Sequence, residues 1–95
     1  MPTIEITPIS KQGDADVFLV KVQEDGSGTD HRVFVSTEDL QKYGHGNASA
    51  EELVRASFEF LLQQEPKESI LEEFDIGKIA YYFNDYDQVM MDTFS

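Results

Sequence analysis

The chain has 95 residues, 40% of them apolar, with seven Phe, four Tyr and no Cys; 19 acidic against 7 basic side chains give a formal charge of −12. Without cysteine there is no disulfide framework, thiolate metal site or cysteine nucleophile, and a potential of this sign disfavours direct contact with phosphate backbones or anionic lipid. Residues 1–95 are expected to form one small α+β domain in the cytoplasm: no apolar run reaches the roughly 18 residues of a membrane span, and Met1–Pro2–Thr3–Ile4–Glu5 lacks the basic and apolar regions of a secretory signal.

Thr3–Ile4–Glu5–Ile6–Thr7 alternates and stops at Pro8, which predicts a short edge strand. After the polar turn Lys11–Asp16, Val17–Gln23 predicts a central strand with Phe18, Val20 and Val22 on one face. Glu24–Asp30 has turn chemistry and is expected to close a hairpin onto His31–Ser36. Ser36 or Thr37 then caps a short helix Glu38–Tyr43, stopped by Gly44, and Gly44–Ala48 is a flexible link.

The longest helix is predicted over Ala50–Glu65. Ser49 with Glu52 three residues on forms a capping box, and Pro66 supplies the stop. Leu53, Val54, Ala56, Ser57, Phe58, Phe60, Leu61 and Leu62 sweep more than half of its circumference, so it must be covered on more than one side. Only Glu52, Arg55, Glu59 and Gln63 make a polar wedge. Two shorter helices are expected after it: one from Glu65–Pro66 with Ile70, Leu71 and Phe74 on a face, and one from Asp75 with Ile76, Ile79, Ala80 and Phe83. Gly77 weakens the second, and the acidic end from about Tyr86 is expected to fray. The whole is an α+β domain: a two- or three-stranded antiparallel sheet, a long core helix and two shorter C-terminal helices. Its expected core is Phe18, Val20, Val33, Val35, Leu53, Phe58, Leu61, Ile70, Phe74, Ile79 and Phe83.

The strings Glu51–Leu62, Glu65–Leu71, Phe74–Asp75 and Tyr82–Phe83 resemble a family of small acidic prokaryotic proteins of unassigned function. That resemblance implies a strand hairpin followed by helices and gives no catalytic residue. The order of elements is also similar, in outline alone, to strand–helix antitoxin proteins.

Chemistry-bearing motifs are sparse. His31 and His45 are the only histidines, and neither has carboxylates at a recognisable ligand spacing. Asp25–Asp30 fails as an EF-hand loop, because Asp30 stands where glycine is needed and Ser36 where glutamate is needed. Asp85, Asp87 and Asp92 read as a solvated acidic end. Tyr81, Tyr82 and Tyr86 cannot all point inward with Phe74, Ile79 and Phe83, and so, with Asp85 and Asp87, they form the expected partner-binding surface. The leading expectation is a non-catalytic interaction or regulatory module for a basic protein partner, with no cofactor, no metal and no direct binding of nucleic acid or membrane. Three alternatives remain: an excess charge that only keeps the chain soluble, a small metabolite- or cation-binding enzyme using His31 or His45 with carboxylates, and an acidic mimic of nucleic acid. An unpaired strand edge and a broadly apolar helix are compatible with a monomer or a homodimer.

Overall fold

The computed structural model describes residues 2–95. Its chain runs through strands β1 (Thr3–Gln12), β2 (Ala15–Glu24) and β3 (Ser27–Val35) into helices α1 (Thr37–Gly44) and α2 (Ala50–Gln64). A 3₁₀ turn at Lys67–Ser69, strand β4 (Glu73–Asp75) and a second 3₁₀ turn at Ile76–Lys78 follow, then helices α3 (Ile79–Tyr82) and α4 (Tyr86–Phe94). The sheet has four strands in the order β1-β2-β3-β4, where the sequence predicts two or three. β1, β2 and β3 form an antiparallel meander, and β4 joins β3 in parallel with Arg32 opposite Glu73 and Phe34 opposite Asp75.

Local chemistry explains the meander. Asp25 and Gly26 both take positive φ, 55° and 80°, so the β2–β3 connection is a two-residue turn whose twist matches the strands it joins. The turn is therefore tighter than the Glu24–Asp30 stretch expected, and β3 begins at Ser27. β1 does not stop at Pro8: a register shift between Pro8 and Ser10 absorbs the proline at the sheet edge, and pairing continues to Gln12. Phe18, Val20, Val22, Val33 and Val35 point to the one face that the helices cover, and all are buried.

α2 is built as its capping box requires, with Glu52 N–H donating to Ser49 Oγ at 3.1 Å and Ser49 N–H to Glu52 Oε1 at 2.8 Å. Its broad apolar arc meets two different layers. Phe58 lies against His31 and Phe74 on the sheet side, and Phe60 makes edge contacts with Phe83 and Tyr86 on the helical side. Glu52, Arg55, Glu59 and Gln63 face solvent, and Arg55 donates to the Ile4 carbonyl at 3.1 Å, tying α2 to β1. The expected core residues are buried, with Phe83 half-buried at its margin.

Four expectations need correction. α1 is capped by Ser36, but Gly44 is its last helical residue, and the left-handed position falls to His45 at φ 52°. The segment after Pro66 is no helix: after one 3₁₀ turn it extends into β4, because β3 offers a free edge and Phe74 can then insert beneath it. The region from Asp75 is a 3₁₀ turn and only one turn of α-helix, without a side-chain hydrogen bond from Asp75. Its Gly77 makes room for the Asp39 carboxylate, whose Oδ2 lies 3.1 Å from where a Cβ would stand. Finally, the acidic end does not fray. It forms α4, with Tyr86 and Met90 fully buried against α1 and α2.

Candidate functional site

Of the five residues expected on a partner surface, Tyr81, Tyr82 and Asp85 are exposed. Tyr86 is a core residue: its hydroxyl shares a 2.6 Å hydrogen bond with Ser57 Oγ, and its ring packs edge-on to Tyr43 and Phe60. Asp87 is half-buried and already occupied, accepting from Tyr43 OH at 2.7 Å and pairing with Lys42 Nζ at 3.4 Å. Burial first, and the hydrogen bond to Asp87 second, push the Tyr43 phenol well above its ordinary pKa; burial likewise raises that of Tyr86. Tyr86 and Asp87 therefore brace α4, and Tyr86 is withdrawn from the surface while Asp87 stays partly exposed.

Tyr82 takes its place in a different constellation. The 3₁₀ turn after Pro66, β4 and α3 fold back on the end of α2 and leave between them an open apolar groove of about 310 Å³. Leu61, Ile70, Phe74 and Ile79 form its floor, and Leu71 and Tyr82, 51% and 66% exposed, stand at its mouth. Glu65 and Lys78 line the polar side. Lys78 is itself engaged, its ammonium lying 5.7 Å from the ring centroid of Tyr81. Glu65 and Lys78 are the charged residues of its lining; Glu68, Glu72 and Glu73 of the same segment line a separate cleft. The sequence pattern predicts Leu71 on one helical face with Ile70 and Phe74. The extended segment turns it outward, which is why sequence reasoning missed this mouth.

The histidines do not converge. His45 is exposed at the end of α1, and His31 is buried in β3. Both ring nitrogens of His31 are used: Nδ1 donates to the Leu71 carbonyl at 2.8 Å, and Nε2 shares a hydrogen bond with the Thr29 hydroxyl, also at 2.8 Å. This histidine pins the chain before β4 to β3 and has no nitrogen free for proton transfer. No group of three His, Asp or Glu among the described residues is arranged to hold a metal ion.

A second, polar cleft of about 630 Å³ lies on the other side of the Lys67–Glu73 segment, over the edge of β3. Lys67 lines it with a nearly buried side chain, and its ammonium pairs with Glu68 at 2.8 Å. That hydrogen bond holds the exposed Glu68 carboxyl below its usual range. No helix among the described residues is long and apolar enough to cross a membrane.

No family model matches this sequence, and no curated protein and no solved structure matches it.

Proposed function

We propose that this chain is a non-catalytic interaction module that receives a basic, amphipathic segment of a protein partner. One apolar side chain of that segment enters the groove between Leu71 and Tyr82, and its Lys or Arg residues meet acids on the chain's surface. The observation that carries this reading is a partly exposed apolar groove on a chain whose formal charge is −12. Interface cores are apolar and rich in aromatics, and a complementary rim steers the encounter and rejects like-charged partners. The charge that repels nucleic acid attracts such a segment.

Affinity capture from a lysate of the source cell tests it, with the native chain and a Leu71→Ala/Tyr82→Ala variant side by side at low and near-physiological salt. The expected result is a basic protein held by the native chain at the higher salt and lost with the variant. Identical captures by both chains would refute the groove as the binding site.

A further inference from the structure

The polar cleft has a backbone wall. Arg32 N–H donates to the Glu72 carbonyl at 2.7 Å, so the backbone of residue 32 faces the β4 side of β3. Antiparallel strands alternate between residues bonded inward and residues bonded outward, so Asp30 and Gly28, two and four residues back, present their N–H and C=O groups to that same edge. β4 does not reach them, since its pairing starts at Arg32. No hydrogen bond to the backbone of Gly28 or Asp30 on this edge exists among the described residues, and both line the cleft.

We propose that this vacant length of β3 edge takes an extended basic peptide as an added strand, in line with β4. Charge selects the occupant. Arg32 already pairs with Glu73 at 3.8 Å and Lys67 with Glu68 at 2.8 Å, while Glu72 and Asp30, the latter opposite Lys21 of β2, make no ion pair among the described residues. Two unpaired acids beside an open edge suit a strand carrying Lys or Arg at alternate positions, with main-chain hydrogen bonds supplying affinity and the acids supplying preference. A second copy of this chain, at −12, would bring like charge to the slot. The proposal rests on the reading that this acidic surface recruits basic segments, and it adds a second contact on the other side of the Lys67–Glu73 segment from the apolar groove.

The test uses the full chain, labelled with nitrogen-15, and a synthetic capped peptide of alternating Lys and Val. The control peptide has the same sequence with every backbone amide methylated, which keeps the charge and abolishes strand pairing. With the first peptide, amide exchange at Gly28 and Asp30 is expected to slow by about tenfold or more, in the native chain and in Tyr82→Ala alike, and Asp30→Asn is expected to weaken binding. The methylated peptide is expected to leave both amides unchanged. Equal effects of the two peptides, or peptide-induced shifts confined to Leu71, Phe74 and Tyr82, would overturn the edge proposal and leave the groove reading standing. No binding of either peptide at low salt would overturn the edge proposal and count against the recruitment of basic segments as well. Protection of Gly28 and Asp30 that rises with protein concentration alone would assign the edge to a second copy and also refute it.

Discussion

Single side chains decide how the C-terminal half is held. The Ser57–Tyr86 pair is buried between α2 and α4, and Ser57 also approaches Met90 Sδ at 3.8 Å. Tyr86→Phe leaves the serine hydroxyl without its oxygen partner, so chemical denaturation should show a loss of about 1–2 kcal/mol. A Ser57→Ala/Tyr86→Phe double variant should recover part of that loss, because neither polar group then remains buried alone. Asp39 behaves in the opposite way. Burial raises its carboxyl pKa, the negative charges of Glu38 and Asp75 add to this, and Ser36 and Lys42 oppose it only in part. A carboxyl whose folded pKa lies above its unfolded value of 3.8 favours folding in its protonated form, and that contribution is lost as pH rises through the folded pKa. Asp39→Asn should therefore melt at a higher temperature than the native chain at neutral pH. The advantage should fade as pH falls towards 3.8, and thermal melts across that range would show it.

At the scale of elements, α2 is the piece on which both layers lean. Its cap is a single reciprocal pair, and Ser49→Ala should cost about 1 kcal/mol in equilibrium unfolding. Removing α4 should cost far more than trimming a loose tail would, because Tyr86 and Met90 each contribute on the order of 1.5–3 kcal/mol by burial alone. A chain ending at Asn84 should lose its cooperative thermal transition; a melt unchanged from the full chain would mean that α4 is dispensable. How far these elements are legible in the sequence depends on how local their causes are. The capping box at Ser49, the alternation through Phe18, Val20 and Val22, and the turn residues Asp25–Gly26 act within a few positions, so α2 and the meander can be read directly. β4 cannot be found this way with ease. Three residues do not make a strand on their own, and Glu73–Asp75 is extended only because β3 offers its edge. Ile70 and Phe74 are both buried, as a helical face would have them, but Leu71 between them points out. In α4 the signal was present: Tyr86, Val89, Met90 and Phe94 recur at helical spacing, and the interleaved Asp85, Asp87 and Asp92 obscured it. The groove at Leu71 and Tyr82 is a product of the extended segment through β4 and of the short α3, so Tyr82 is legible as a surface residue while its apolar neighbours are not.

For the molecule as a whole, the acidic excess sets two opposing demands. A charge of −12 on so small a body repels itself, and salt at about 0.15 M shortens the reach of that repulsion to about 8 Å. Raising sodium chloride from about 10 mM to that level should increase the melting temperature of the free chain. The same salt should weaken a complex with a basic segment, whereas the apolar contact at the groove is insensitive to it. Binding that combines the two is expected to fall with salt to a plateau and not to zero, and the plateau should vanish in Leu71→Ala/Tyr82→Ala. The most direct measurement is the nitrogen-15 spectrum of the chain as the captured basic partner is added at near-physiological salt. Shifts centred on Leu71, Phe74, Tyr82 and Phe83, abolished in the double variant, are the expected result. Shifts spread over acidic residues throughout the surface, with those four positions unmoved, would contradict the groove as the seat of recognition.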